Sequence, residues 1–427
     1  MKKALAISVL LLSALCLFAG GGKEEASSDG VVTIKYAFWG NPDAIGVEQD
    51  IIDAFEESHP NIHVEPVVSA YNDYHTKIMT MIAGGMAPDV MRLDCYFFQD
   101  FYDLGAVINL DPYIEKTGFD VNIHPKAAIE EATKDGHVVA LPWSAAPYYF
   151  AFNLDTFEKA GIPIPDYDWT IDDFIAICEA FGGDETGVYG FATSMAAQNP
   201  FYAFIWGFGS DLLNEDKTHY AMNDEGAVAA LEIIADLYQR GLLPRDMIST
   251  ATAEPVTRWF TNGTVAMMTV SAQEILAIQN VEGVRFEVYP APGGRVEKNT
   301  TTIKSNEISI SASSKHKDEA WEFLSFLRGN EGERLYAAAR RIPPSLNNDD
   351  TLWDLYLDST KYPFKIKEVT DLINSTYGHQ LPLRAGYSEI DANTVPIFQK
   401  IMTGAVTAQQ GLDELGVKVE EIIARTN

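Results

Sequence analysis

Hydrophobic and polar positions along the chain follow two periods, one strand-like and one helical, in alternating blocks. A β-branched and aromatic run from Val31 to Phe38 predicts a first strand, which ends at Trp39-Gly40-Asn41-Pro42. A helix is expected over Ile45 to Ser58, then a turn at His59-Pro60-Asn61 and a short strand over Ile62 to Val67. Apolar residues at Ile78, Met81 and Ile82 recur at helical spacing. A second, Gly/Pro-punctuated strand at Pro88-Asp89-Val90 then runs to a carboxylate, Asp94, before a helix near Tyr96 to Leu104. This is strand–helix–strand order, and in open α/β sheets ligands bind outside the carboxyl ends of the strands.

The same alternation continues. Gly136 to Pro142 reads as a short strand entering a turn, Tyr148 to Asn153 as another, and Leu154 to Ala160 as a helix closed by Gly161. Thr170 is placed to cap a helix, with Asp173 three residues on completing a near capping box. A long amphipathic helix is predicted from Asn223-Asp224-Glu225 through Tyr238, another over Asp318 to Leu327, and two more over Ile390 to Met402 and Thr407 to Ala424. Strand-like runs return late, at Val265 to Val270 and Ile303 to Ser311, and no Pro/Gly/Ser-rich linker divides the chain. Interleaved rather than sequential domains follow.

Composition narrows the picture. At 427 residues two domains are expected. With 61 acidic against 31 basic residues the net charge is −30, which argues against nucleic acid or an anionic membrane as partner. Lys2-Lys3 followed by an apolar run from Ala4 to Ala19 reads as a secretory signal, too short for a full membrane span. Release after Ala19 is preferred, because Leu15 precedes Cys16 where lipoprotein processing favours a small residue; a lipid anchor at Cys16 is the alternative. Cys178 lies in an apolar helical pattern and reads as a small buried hydrophobe, while Cys95 and Cys178 cannot be paired from sequence. His59 and His63 are separated by Pro60 and share no helix face, so no metal site is expected. Phosphate-loop, His-Glu-x-x-His and nucleophile-elbow motifs are absent, and carboxylate pairs such as Asp172-Asp173 carry no weight among so many acids.

Three motifs in order carry a family resemblance: Phe55, Pro60, Ile62 and Val64; Asp73, Tyr74 and Lys77; and Gly85, Pro88, Asp89 and Val90. Together with Phe260 to Met268 and Tyr289-Pro290-Ala291-Pro292-Gly293, they resemble the carbohydrate-binding, maltose-binding-protein-like solute-binding proteins of ABC importers. The resemblance implies an α/β fold of two interleaved lobes with hinge crossings near Leu141, Met267 and Pro343. It divides the chain into a signal peptide (1–19), a flexible leader (20–30), lobe 1 (31–140 and 268–340) and lobe 2 (141–267 and 341–427). It also implies a secreted or periplasmic monomer that captures a mono- or oligosaccharide, hands it to membrane permease subunits, catalyses nothing and needs no cofactor. Another small polar solute such as a glycerol phosphate, or a secreted carbohydrate-active enzyme, are the alternatives.

A sugar presents flat C–H faces and rings of hydroxyls, so its site wants aromatic planes flanked by carboxylates, amides and arginines. The candidates are Trp39, Asp94 and Tyr96 from the first lobe, Trp143, Asn199, Trp206 and Tyr387 from the second lobe or the crossings, with Glu274 after the Met267-Met268 strand and Arg341 at the Pro343 crossing. Each has a plainer reading. Asp94 serves equally as an N-cap for the helix at Tyr96, and an interlobe salt bridge would explain Arg341 or Arg384. Trp169 and Trp321 read as packing residues, and Trp353 as lying on a surface helix. Glu274 stands where the family often places an aromatic, which suggests hydrogen bonding there instead of stacking.

Overall fold

The computed structural model describes residues 30–426 except 41, 197–199, 299 and 347, so the expected signal peptide, Cys16, nearly all of the leader and Asn199 lie outside the described residues. In chain order the strands are β1 (Val32–Trp39), β2 (Ile62–Ser69), β3 (Val90–Asp94), a small hairpin of β4 (Thr133–Lys134) and β5 (His137–Val138), β6 (Leu141–Pro147), β7 (Tyr149–Asn153), β8 (Tyr189–Ala192), β9 (Val265–Val270), β10 (Phe286–Tyr289), β11 (Thr301–Ile310) and β12 (Gly378–Gln380). Two larger sheets result. One has the order β12-β11-β3-β1-β2 with β6 also paired to β11; the other has the order β10-β7-β9-β8.

In the first sheet β1 runs parallel to both β2 and β3, joined by the helices Pro42–Ser58 and Tyr71–Ala83. Parallel neighbours put their carboxyl ends on one edge, where Trp39 pairs with Ser69 and β3 stops at Asp94. Alternation along β1 sends Ile34, Tyr36 and Phe38 into a core with Phe55, Phe323 and Leu327, while Ala37 joins Tyr74, Met91 and Phe101 on the opposite face. All five residues of β3 are buried, so its two charged residues, Arg92 and Asp94, must find partners inside. The second sheet has its own core, in which Trp169 is buried; Trp321 is buried in the first. In the second lobe Thr170 and Asp173 form the full capping box of the helix Ile171–Phe181.

Two expectations need correction. The segment from 268 on was placed in lobe 1, yet β9 continues to Val270 and β10 pairs with β7. Backbone pairing therefore keeps the chain in the second lobe until it returns with β11, whose Asn306 sits opposite Asp94. The first crossing falls between β6, which pairs with β11, and β7, which pairs with β9. Trp353 is buried in the second core against Tyr356 rather than on a surface helix. Cys95 and Cys178 are both buried free thiols.

Candidate functional site

Three successive strands of the first sheet end on the same edge, and each delivers a polar or aromatic group. β1 ends in Trp39, β2 leads within two residues to Tyr71 at the start of its helix, and β3 ends in Asp94. Tyr71 is 40% exposed, and its hydroxyl donates to Asp94 Oδ2 at 3.2 Å. Its ring meets the partly exposed Trp39 edge-on at 5.6 Å.

Asp94 divides its two oxygens between two tasks. Oδ1 accepts from the Tyr96 backbone N–H at 3.1 Å, capping the helix Cys95–Asp103. Oδ2 accepts from Lys304 Nζ on β11 at 2.8 Å as well as from Tyr71. Burial pushes the Asp94 pKa upward, but the Lys304 charge, His75 and these hydrogen bonds outweigh it and hold the carboxyl below its ordinary value. The N-cap reading of Asp94 therefore holds, and its carboxylate, only 1% exposed, fixes Tyr71 and Lys304 from within the wall. Lys304, whose Nζ also lies 4.4 Å from the centre of the Tyr96 ring, was not foreseen. A lone lysine in the run Thr301-Thr302-Ile303-Lys304 was the available signal.

Behind this wall is a buried charged layer. The Arg92 guanidinium lies 4.4 Å from the Trp39 ring and 4.2 Å from the Trp143 ring, pairs with Glu48 at 2.8 Å, and donates through Nη2 to the Trp39 carbonyl. The second Glu48 oxygen accepts from Tyr336 (2.7 Å) and Tyr36 (3.4 Å). Trp143 donates to the Tyr336 hydroxyl at 3.2 Å and is only 5% exposed, so it backs the wall rather than facing a ligand.

The remaining candidates divide. Tyr96 and Tyr387 meet across the lobes, ring centres 5.0 Å apart, next to a hydrogen bond from Gly386 N to Asp100 Oδ1 at 2.8 Å. Both rings are buried. Beside them Asp391, on the helix Tyr387–Met402, has a buried Oδ1 without a hydrogen-bond partner, and burial lifts its pKa to about 6. Trp206 is buried beneath β12, stacked on His379 at 3.9 Å and bonded to Asp211, so it joins the second core and not the wall. Glu274 is spent on its own helix: one oxygen accepts from both the N–H (2.8 Å) and the hydroxyl (2.5 Å) of Ser271. Arg341 abuts Trp143 at 5.4 Å. No cluster of three or more metal-ligating side chains occurs among the described residues.

His75 supports the wall from below, accepting the Asp94 backbone N–H at Nε2 (3.0 Å) and stacking on Phe97 at 4.0 Å. Burial lowers its pKa from 6.5 to about 4, which Asp94 opposes and Lys304 and Arg92 reinforce. The folded pKa is below the unfolded one, so this contribution to stability is complete above about pH 6.5 and is lost as pH falls toward 4. Denaturant midpoints should decline over that window, and less steeply in His75→Gln, whose amide oxygen keeps the accepting role without titrating. An unchanged slope would assign the window to other groups, buried His124 among them.

A two-lobed α/β protein with a polar and aromatic wall at strand carboxyl ends, and a second lobe facing it, is a binding protein by architecture. Residues 42–334 match the bacterial extracellular solute-binding protein family, and the chain belongs to it. It is 23% identical over 433 residues to the galactooligosaccharide-binding protein of Bacillus subtilis, covering 97% of this chain and 96% of that one. It is also 23% identical over 417 residues to a putative binding protein of Brucella abortus, covering 97% and 98%. Among solved structures, an ABC substrate-binding protein of Listeria monocytogenes in complex with cycloalternan superposes with a TM-score of 0.83 at 25% identity, over 92% of this chain and 99% of that one. A maltose-bound T. maritima protein superposes at 0.77 with 20% identity, over 92% and 100%.

Proposed function

We propose that this protein is the sugar-capturing component of an ABC importer, acting outside the cytoplasmic membrane as a monomer and passing its ligand unchanged to permease subunits. The observation that carries this reading is the exposed Tyr71 ring bonded to Asp94 beside Trp39. It offers a stacking plane held in place by a buried carboxylate, at the edge where three strands end. The sugar ligands named for its relatives, galactooligosaccharide and arabinooligosaccharide, and the cycloalternan and maltose bound in similar structures, support the same class. A ligand touching both lobes at once favours the closed arrangement by its differential affinity for it. Tyr71, Trp39, Asp94 and Lys304 would contribute from the first lobe, and Asp391 from the second.

The test is a thermal-shift and calorimetric titration against mono- and oligosaccharides, with product analysis of the same mixtures. At a ligand concentration about 100 times Kd, mass action adds about 2.7 kcal/mol to stability, a shift of several degrees. Conversion of the sugar to products would overturn the transport reading, and so would the absence of binding across the panel.

A further inference from the structure

One cation at the lobe boundary has no ion-pair partner among the described residues. Arg341 lies in the turn after the helix Asn330–Ala338, where Ile342 belongs to the first core and Leu346 to the second. Its guanidinium carbon is 5.4 Å from the ring of Trp143, which backs the Trp39 wall, and the residue retains some exposure.

The neighbouring charges are already committed. Arg92 takes one Glu48 oxygen and the Trp39 carbonyl, while Tyr336 and Tyr36 take the other Glu48 oxygen. The adjacent Arg340 pairs with Asp358 at 2.9 Å. Arg341 has no ion pair among the described residues, and its Nε is buried without a hydrogen-bond partner. Burial and the nearby Arg92 lower its pKa, as expected of a desolvated cation facing another, with Glu48 only partly offsetting them. Two guanidiniums against one carboxylate leave a surplus positive charge at the wall. A desolvated charge of this kind is costly unless an anion completes it.

Resting on the sugar-binding reading above, we infer that the captured saccharide is acidic, with a uronic acid carboxylate seated on Arg341 at the margin of the Trp39 wall. The planar guanidinium matches a carboxylate through two parallel hydrogen bonds, the geometry a single arginine serves best. The chain's net charge of −30 does not oppose this at contact, because exposed charges beyond about 8 Å are screened at physiological salt.

The experiment titrates the full protein with di- and trisaccharides of galacturonic and glucuronic acid, their neutral galactose and glucose counterparts, and glucose 1-phosphate. A preference of at least about tenfold for the uronates over the neutral sugars is expected. In Arg341→Gln that preference should collapse toward one, and in Arg341→Lys it should return in part, because charge is restored without the bidentate fork. Circular dichroism and melting temperature confirm that each variant is folded. Equal or tighter binding of the neutral sugars overturns the acidic assignment and leaves the sugar-binding reading intact. A preference for the phosphate overturns the carboxylate. Binding of none of these probes overturns both readings, and a uronate preference unchanged in Arg341→Gln removes Arg341 from the site.

Discussion

Arg92→Ala lowers the unfolding free energy by about 3–5 kcal/mol, the cost of leaving one partner of a buried ion pair behind. Arg92 and Glu48 are both inaccessible to solvent and 2.8 Å apart, so Glu48 would be left with two tyrosine hydroxyls and no hydrogen-bonded cation. The substitution also empties the space between the Trp39 and Trp143 rings, whose centres are 6.4 Å apart with the guanidinium close to both. Urea or guanidinium unfolding reads the loss as a shift in midpoint. The double variant Arg92→Met with Glu48→Leu should recover most of it, because a well-packed apolar pair often replaces a buried ion pair at little cost. A single-variant loss under about 1 kcal/mol, or a double variant as damaged as Arg92→Ala, would show that the pair is not what holds this layer together.

Arg92 also illustrates what the sequence made legible. An arginine inside Asp89-Val90-Met91-Arg92-Leu93-Asp94 is a charge in a strand buried on both faces, so the need for a partner is visible there. Its identity is not, because Glu48 lies 44 residues away on another element. The same limit separates the candidates that joined the wall from those that did not. Trp39 and Asp94 were legible because local periodicity places strand ends, and strand ends of a parallel sheet share an edge. Lys304 was missed because it reaches Asp94 across 210 residues, through a register no local pattern encodes. Glu274 shows the opposite error. Ser271-Ala272-Gln273-Glu274 spells a capping box, and the structure uses the glutamate for that purpose. The lobe boundary was displaced for a related reason: strand propensity identified Val265 to Val270, but only pairing with β7 assigns it to a sheet.

Asp94→Ala is expected to weaken sugar binding about 10- to 100-fold, because the buried carboxylate that holds the Tyr71 hydroxyl and Lys304 in place is lost. The same variant removes a helix cap and deprives the largely buried Lys304 of its carboxylate, so lost binding alone would not separate the two roles. Asp94→Asn separates them. Its amide oxygen can still accept from Tyr96 N, retaining about 1 kcal/mol of capping relative to alanine, whereas an NH2 group turned toward Lys304 and Tyr71 accepts from neither. Binding should therefore fall about equally in both variants while stability falls less in Asp94→Asn. The pH response follows from the lowered folded pKa. The carboxylate's contribution is complete above the unfolded value near about 3.9 and is lost only as pH drops through the folded one, so sugar affinity due to Asp94 stays flat from about pH 5 to 8. Wild-type affinity in Asp94→Asn would confine the residue to capping and assign the positioning of Tyr71 to another group. Asp391 is then the next to test, since it approaches the same Lys304–Asp94 pair from the second lobe with an oxygen free to accept.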